Sequence, residues 1–345
     1  MHFLRFLFLS VLLLSYCTAN SQINVIDNKT NDGGLVNWIN ISEAEEQMKL
    51  VRKPVIIHFY TDWCGFCKKM NRDIFANPSI AGYINQHYYP VRINAQGNDT
   101  ITFQGNTYTN PQPDKQGTTH TFAKEMINTD KITYPTTIFI NNNFQFKLVV
   151  PGNIDLTMME SLLVFTLENV YFTEKFERFD TAFQKTFRAD PPPEKMVTFY
   201  DNINLAVAAA KAQQKKLIII ADANWCNSCK VMITNLLTDS IIGNYLEKHF
   251  IATVFTTDSR DTVYFGDTIF SPGKAKKLHS FFVTYAGKSI TLPNIFVFDE
   301  NLQLLSPMPA YQTKKLFMAA MRYFGENYYA RMTWQDFIEQ EEIKF

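Results

Sequence analysis

The feature that most constrains this chain is a cysteine motif that occurs twice. Residues 63–68 read WCGFCK and residues 225–230 read WCNSCK, so two cysteines separated by two residues follow a tryptophan and precede a lysine in both. The second motif begins 162 residues after the first, and at the same spacing Met70 matches Met232. Self-similarity at a fixed distance is the signature of a repeated structural unit. We therefore expect two similar domains with one cysteine pair each.

The segments around the two motifs follow the same order of predicted elements. Each motif is preceded by a helical pattern and an apolar run, and the first of these helices carries Ser42 and Glu45 at the spacing of a capping box. Each motif is followed by a polar helix, a strand and a β-rich hairpin, over 100–109 in the first half and 262–270 in the second. A further helix, two strands and closing helices complete each unit. Helices and strands thus alternate in each half.

The chain is long enough for two such units. Its 345 residues are 46% hydrophobic and 14% aromatic, which supplies apolar material for two cores. The stretch over 188–195, RADPPPEK, contains three consecutive prolines, which disfavour helix and favour an extended linker. We therefore predict a first domain over 22–187 and a second domain over 196–345.

Residues 1–21 have the pattern of a secretory signal peptide. A basic start at Arg5 precedes an apolar run over 6–14 and then small polar residues. The run is too short to span a bilayer. Cleavage at the end of this segment would remove Cys17 and leave the other four of the five cysteines, in two pairs. In an alternative interpretation Cys17 is the lipidated first residue of a bacterial lipoprotein, although Tyr16 is larger than such sites prefer. Only in that case do we expect membrane attachment.

The charge balance argues against anionic binding partners. Lysine plus arginine and aspartate plus glutamate both number 33, so no positive excess favours binding to nucleic acid or to an anionic membrane surface. We expect a secreted or periplasmic protein with no nucleic-acid partner.

The two halves resemble secreted thioredoxin-like domains. The resemblance rests on an apolar strand followed by W-C-x-x-C-K, with Pro135 and Pro293 beginning a later strand 71 and 67 residues after the first cysteine of each motif. It implies an α/β fold with two tandem thioredoxin-like domains, each a central mixed sheet flanked by helices with a hairpin insertion. It also implies that the first cysteine lies exposed at a helix start, with the later proline beside it in the cis form.

This resemblance gives the four cysteines distinct roles. The positive end of a helix dipole and its free N–H groups stabilise a thiolate at the helix start, so Cys64 and Cys226 are the predicted nucleophiles. Cys67 and Cys229 lie one helical turn later and are predicted to resolve the mixed disulfide.

The substrate-contacting residues are predicted from the same resemblance. A cis X-Pro bond leaves the backbone of the preceding residue free to pair with an extended substrate segment, and a tryptophan beside the disulfide shapes the groove. The predicted substrate-binding residues are Trp63, Tyr134 and Pro135 in the first half and Trp225, Leu292 and Pro293 in the second. Because Tyr134 and Leu292 differ, we expect the two sites to accept different substrates.

The strand before each motif departs from the thioredoxin pattern. Thioredoxins commonly hold a buried acid six positions before the first cysteine, and those positions are His58 and Ile220 here. A histidine with a pKa near neutrality can move a proton to and from the resolving thiol, whereas isoleucine cannot. We therefore expect the first domain to be the more competent exchanger. Asp222 shares a strand face with Ile220 by alternation and is a candidate substitute.

Two structural interpretations of the cysteine pairs compete with redox chemistry. A structural disulfide is normal in a secreted protein, but a loop as short as C-x-x-C removes little chain entropy. A zinc site built from all four thiolates requires the two motifs to meet in space. Motifs in separate repeats fit that requirement poorly, so we favour redox activity and expect no metal site.

The sequence thus predicts an enzyme, a thiol–disulfide oxidoreductase that exchanges dithiol for disulfide with other proteins. We favour the reductase direction, with a membrane thiol transporter as the electron donor and no metal or organic cofactor. Two alternatives stay open. One is a non-catalytic peptide-binding or chaperone-like envelope module with structural disulfides, and the other is a lipid-anchored scaffold.

Overall fold

The computed structural model describes residues 34–129, 131–197, 199–273, 278–287 and 290–341. The predicted signal peptide over 1–21, including Cys17, lies outside the described residues. Within the described ranges, no helix combines the length and the apolar content that crossing a bilayer requires.

The first half of the chain forms a four-stranded mixed sheet between helices. Its elements are, in order, α1 (Ile41–Leu50), β1 (Val55–Tyr60), α2 (Gly65–Met70), a π-helical turn (Asn71–Phe75), α3 (Pro78–His87), β2 (Tyr89–Asn94), β3 (Ile101–Phe103), β4 (Asn106–Tyr108), α4 (Thr121–Ile127), β5 (Thr136–Ile140), β6 (Lys147–Pro151), α5 (Leu156–Leu167), a 3-10 turn (Val170–Phe172) and α6 (Phe176–Arg188). The strand order is β2-β1-β5-β6, in which only β1 and β2 are parallel. Strands β3 and β4 form a separate hairpin.

The second half repeats this arrangement. Its elements are α7 (Ile203–Gln213), β7 (Lys216–Asp222), α8 (Asn227–Leu237), α9 (Ser240–His249), β8 (Phe250–Thr256), β9 (Val263–Phe265), β10 (Thr268–Phe270), α10 (Ser280–Ala286), β11 (Asn294–Phe298), β12 (Leu304–Pro309), α11 (Lys314–Gly325), a 3-10 turn (Tyr328–Ala330) and α12 (Trp334–Gln340). The order is β12-β11-β7-β8, with β7 and β8 parallel and β9 and β10 in a hairpin. The predicted α/β fold, with two tandem mixed sheets, is confirmed.

The central strand that leads into each motif is buried on both faces, because helices cover both sides of each sheet. Side chains alternate between the two faces along a strand. Ile56 of β1 packs in the same cluster as Met70 of the motif helix α2, and Ile220 of β7 packs with Met232 of α8. Alternation places His58 on the face of Ile56. Each motif helix therefore covers the face on which the proton-transfer position was predicted.

The two halves share one hydrophobic core. The buried cluster on the motif-helix face includes Met70 from the first half and Met232 from the second. Helices α5 and α6 contact α8, and the rings of Phe179 and Tyr311 meet edge to face with centroids 5.7 Å apart. Burying a large apolar side chain contributes about 1.5–3 kcal/mol. Separation of the halves would expose this surface to water, so the hydrophobic effect holds the two domains together.

Both hairpins form within the ranges that the sequence predicts. The first turns at Gln104 and Gly105, with φ of 50° and 78°, and the second turns at Gly266, with φ of 61°. Positive φ matches a tight turn to the twist of the flanking strands, and glycine adopts it without steric cost.

The capping box predicted for the first helix is wrong. The helix α1 begins after Asn40, whose side chain accepts a hydrogen bond from the backbone N–H of Glu43 at 2.7 Å. Ser42 Oγ instead donates to the backbone oxygen of Thr102, and Glu45 accepts from the backbone N–H of residue 104. The two predicted capping residues therefore attach the β3–β4 hairpin to α1, a tertiary use that local spacing does not reveal.

The chain between the halves lies against the second domain. Residues 189–197 belong to neither helix nor strand, and the backbone N–H of Met196 donates to the oxygen of Leu237, the last residue of α8, at 2.6 Å. A Cβ atom added to Gly243 of α9 would lie 2.5 Å from the carbonyl oxygen of Met196. The absence of a side chain at Gly243 thus allows the linker to approach α9. The exact domain limits stay predictions.

We expect Gly243→Ala to lower the free energy of unfolding by about 1–3 kcal/mol, because the new methyl group would overlap the Met196 carbonyl. The control is Gly82→Ala on α3, the corresponding helix of the first half, where nothing lies within 4 Å of an added Cβ. There the higher helix propensity of alanine should raise stability by about 0.5–1 kcal/mol. Urea unfolding followed by circular dichroism measures both. Equal stability of the two variants would contradict the close approach.

Candidate active site

The first cysteine pair lies where β1 gives way to α2. Cys64 is the N-cap residue of α2 and is bonded to Cys67, with an S–S distance of 2.03 Å. The backbone N–H of Cys67 donates to Cys64 Sγ at 3.0 Å, and the N–H of Cys64 donates to the oxygen of Thr61 at 3.1 Å. The sulfur thus occupies the place of a capping side chain. On reduction the helix start would stabilise a thiolate there.

Aromatic side chains surround the first pair. Trp63 and Phe66 are 65% and 64% exposed. The Trp63 indole donates from Nε1 to Gln96 Oε1 at 2.9 Å, and its ring meets the Tyr134 ring edge to face at 6.1 Å. The bond between Tyr134 and Pro135 is cis, as the resemblance implied. We call Trp63, Phe66 and Tyr134 the aromatic rim; Phe66, between the two cysteines, was not among the predicted site residues.

The second pair repeats this geometry at the start of α8. Cys226 is the N-cap residue and is bonded to Cys229, whose N–H donates to Cys226 Sγ at 3.2 Å. Trp225 is exposed, like its counterpart in the first half. The bond between Leu292 and Pro293 is cis, and Leu292 packs against the small buried cluster that contains Cys226 and Cys229. The structure therefore brings Trp63 to Tyr134 in the first half and Leu292 to the cysteine pair in the second.

The predicted exposure of the first cysteine is wrong in the disulfide form. Cys64 is 3% exposed and Cys226 is 1% exposed. Each is bonded to a buried cysteine one turn later, so the first sulfur lies in contact with a buried partner. The four sulfurs form two separate disulfides rather than one cluster, and within the described part of the chain no group of acidic, histidine and cysteine side chains is placed to hold a metal.

His58 is buried beneath the first motif helix. Its Nδ1 lies 3.0 Å from Thr137 Oγ1, and its ring packs against Phe75 and Trp38 with centroids 4.9 Å and 6.1 Å away. Burial, with a smaller contribution from the charge of Arg92, lowers the pKa of His58 to about 3. The imidazole is therefore neutral at pH 7. The expected pKa near neutrality is wrong, because both faces of the strand are covered; a role in proton transfer stays a prediction.

Asp222 lies at the end of β7, on the face of Ile220. Burial raises the pKa of its carboxyl, while a hydrogen bond with Thr256 and the charge of Lys230 oppose the rise. Its Oδ1 atom is buried without a hydrogen-bond partner. Asp222 stays a candidate for proton transfer to the second pair.

A carboxylate from the first half completes the surroundings of the second pair. Glu168, at the end of α5, accepts hydrogen bonds from the backbone N–H groups of Ser228 at 2.7 Å and Asn227 at 3.2 Å. One of its oxygens lies 3.6 Å from Cys226 Sγ. The residue as a whole is partly exposed, but both carboxylate oxygens point into this contact. The second centre is therefore built from both domains.

Glu168 was missed by sequence reasoning, because it lies 58 residues before Cys226 and belongs to the other repeat. One signal was available. Residues 168–171 read ENVY and residues 326–329 read ENYY, so the glutamate is part of a second repeated motif. The repeat alone marks the position but does not show that its side chain crosses to the other domain.

Comparison with known proteins supports the fold of each half. Residues 41–178 match the profile of a family described as "Thioredoxin-like domain", and residues 198–299 match a second profile described as "Thioredoxin-like". These two segments contain both cysteine motifs and the cis prolines Pro135 and Pro293.

Individual relatives match over parts of the chain. The thiol:disulfide interchange protein DsbD of Vibrio vulnificus is 31% identical over 76 residues, which is 21% of this chain and 12% of the relative's length. A thioredoxin-fold protein from Helicobacter pylori is 16% identical, covering 38% of this chain and 83% of its own, with a TM-score of 0.28. A disulphide isomerase from Xylella fastidiosa is 16% identical, covering 41% and 92%, with a TM-score of 0.24.

We expect the pH dependence of stability to report the burial of His58. The folded pKa is about 3 and the ordinary value is 6.5, so the unfolded chain binds a proton first as the pH falls. The stability that neutral His58 provides is therefore complete above pH 6.5 and is lost as the pH falls toward 3. The loss should be on the order of 2–4 kcal/mol.

Urea unfolding at several pH values, for the wild type and for His58→Phe, measures this loss. The phenylalanine ring fits among the same aromatic neighbours but does not titrate, so the variant should lose less stability than the wild type over this range. Parallel curves would show that His58 is not held neutral by the fold.

Proposed function

Since the chain belongs to the thioredoxin-like family in both of its halves, we propose that it is a secreted thiol–disulfide oxidoreductase that reduces disulfides of other proteins. The observation that carries this proposal is the position of Cys64. It is bonded to Cys67 at the start of α2 and lies beside an exposed aromatic rim. A purely structural disulfide needs neither the helix start nor exposed aromatic neighbours.

The chemistry at the first centre follows from this placement. The Cys64 thiolate attacks one sulfur of a substrate disulfide; a bond forms between the two sulfurs, the substrate S–S bond breaks, and the other substrate sulfur leaves and takes a proton. The Cys67 thiolate then attacks Cys64 Sγ, restores the internal disulfide and releases the second substrate thiol. Two electrons pass to the substrate, and the two protons of the cysteine thiols end on the two substrate thiols.

The aromatic rim is suited to hold the substrate segment. Rings offer large apolar contact area at small entropic cost, and the backbone of Tyr134, the residue before Pro135, is the proposed pairing partner for an extended peptide. In the second half, Trp225 and the bond between Leu292 and Pro293 take the corresponding places. An aliphatic side chain replaces the tyrosine there, which supports different substrate preferences.

The proposed location and partners follow from the chemistry. The segment over 1–21 supports export, and the cysteine pairs support protein thiols and disulfides as partners. Repeated reduction of substrates in an oxidising compartment requires an external dithiol, for which a membrane thiol donor is the proposed source. We assign the first domain to 22–187 and the second to 196–345.

One observation favours a second candidate function. Cys64 and Cys226 are almost completely buried in the disulfide form. A non-catalytic peptide-binding module would hold its disulfides closed in this way and use the aromatic rim for binding alone.

We expect Cys64→Ser to lower the rate of reduction of a soluble protein disulfide by about tenfold or more, because nucleophile access and thiolate fraction set the exchange rate. Cys226→Ser should lower the rate less, since Glu168 covers that sulfur. Dithiothreitol as electron donor and release of substrate thiols as readout allow direct comparison. A larger loss in Cys226→Ser would contradict the assignment of the first pair as the main exchange site.

We further expect Cys67→Ser to accumulate a mixed disulfide between Cys64 and the substrate, because no resolving thiol remains. Intact mass analysis under non-reducing conditions detects the adduct, and the protein with both Cys64→Ser and Cys67→Ser is the control. If neither pair reacts with a thiol probe after mild reduction, the peptide-binding candidate replaces the proposed function.

A further inference from the structure

A carboxylate and the Cys226 sulfur share the N–H donors of the first turn of α8. The N–H groups of Ser228 and Asn227 donate to the carboxylate of Glu168 at 2.7 Å and 3.2 Å. The N–H of Cys229 donates to Cys226 Sγ at 3.2 Å. Two of the free donors at this helix start are therefore already satisfied by a carboxylate before the cysteine pair is reduced.

The carboxylate is also close to the sulfur itself. A Glu168 oxygen lies 3.6 Å from Cys226 Sγ, which is bonded in a disulfide and carries no hydrogen. After reduction, ionisation of Cys226 would place two negative charges at about this distance. Like charges this close disfavour ionisation, in opposition to the helix dipole.

Among the described residues, the first centre has no such neighbour. In the part of the chain that the structure describes, no carboxylate hydrogen-bonds to the N–H groups of the first turn of α2. The counterpart of Glu168 in the second half is Glu326, which ends α11 and likewise precedes an asparagine with positive φ. Glu326 accepts from the Tyr245 hydroxyl at 3.0 Å and pairs with Arg322. The same repeated glutamate thus has an ordinary packing role in one half and contacts a reactive sulfur in the other.

Other titratable groups face Glu168 from both halves. Tyr83 and Tyr88 lie on its first-domain side; burial raises the pKa of both, and the charge of Glu168 adds to the rise. On the second-domain side, Lys230 of α8 attracts the carboxylate. Burial raises the pKa of Glu168, while the hydrogen bonds from Ser228 and the charge of Lys230 oppose the rise. The charge of Lys230 therefore favours the ionised form of the Glu168 carboxyl.

We propose that Glu168 sets the redox potential of the second cysteine pair and makes it the lower-potential, more strongly reducing centre of the two. This inference deepens the proposed function and rests on it. Reduction breaks the bond between Cys226 and Cys229 and adds two electrons and two protons, and any ionisation of the resulting thiol stabilises the dithiol form. Glu168 opposes that ionisation, so it favours the disulfide. In exchange between the centres, the second is the electron donor.

The test uses the full chain with Cys64→Ser and Cys67→Ser, in which Cys226 and Cys229 are the remaining C-x-x-C pair that exchanges with glutathione. Glu168→Gln keeps the shape of the side chain and removes its charge. It should raise the dithiol fraction at a fixed glutathione ratio, with an equilibrium constant about tenfold larger, which corresponds to a potential about 30 mV higher. The pKa of the Cys226 thiol should fall by about one unit or more. The matched control Glu326→Gln should leave both quantities unchanged.

A pH series separates charge from packing. Below its pKa Glu168 is neutral, so the difference between the parent protein and Glu168→Gln should disappear as the pH falls. Tyr83 and Tyr88 keep their protonation over this range, because burial raises the pKa of both above the ordinary tyrosine value. A difference that persists at every pH would show that the glutamate acts only as a helix cap and would overturn the proposal.

An unchanged or lower potential in Glu168→Gln would also overturn the proposal. The potential of the first pair is measured in the protein with Cys226→Ser and Cys229→Ser, and a second-pair potential above this value would overturn the proposal as well. If Glu168→Gln does not fold, Glu168→Asp keeps the charge but withdraws it from the sulfur. It should give a smaller rise in potential, and no rise would count against the inference. Failure of both pairs to exchange with glutathione, seen before any Glu168 variant is compared, would contradict the proposed function instead.

Discussion

The packing of α5 and α6 against α8 is the interaction on which the arrangement of this protein depends. It joins the motif-helix faces of two sheets into one buried cluster, with Phe179 and Tyr311 in direct contact across the halves. Because the apolar surface involved is large, the two domains are fixed in position relative to each other. This fixed position brings the end of α5, and with it Glu168, to the start of α8. If the two domains moved freely relative to each other, Glu168 would not stay in contact with the start of α8.

One duplicated unit therefore gives two different centres. In the first, no carboxylate of the described residues shares the helix start with Cys64, which lies next to the exposed rings of Trp63 and Phe66. In the second, Cys226 shares the helix start with a carboxylate and is covered by residues of both halves. The cysteine spacing, the cis proline and the preceding tryptophan are the same in both. The two centres differ in the charged groups that surround the first cysteine, and the cysteine motif does not determine these groups.

Most of the fold can be predicted from the sequence because each local pattern of helices and strands occurs twice, once in each half. The strands and the hairpins follow from patterns that involve neighbouring residues only. The resemblance to thioredoxin-like domains implies the helix starts at Cys64 and Cys226. The failures share a cause. Ser42 turns from its helix to hold a hairpin, His58 loses its usual pKa through burial on both faces, and Glu168 acts across a domain boundary. Each depends on contacts between segments far apart in the chain, which local spacing and periodicity do not contain.

The head-to-tail order of the duplication has a directional consequence. The closing helices of the first unit lie on the motif helix of the second, while the equivalent glutamate of the second unit, Glu326, stays within its own fold. In this arrangement a unit contributes its glutamate to the cysteine centre of the next unit and not to its own centre. If further copies were added and packed in the same way, the first copy alone would have a cysteine pair without a neighbouring glutamate. Its redox chemistry would therefore differ from that of every later copy.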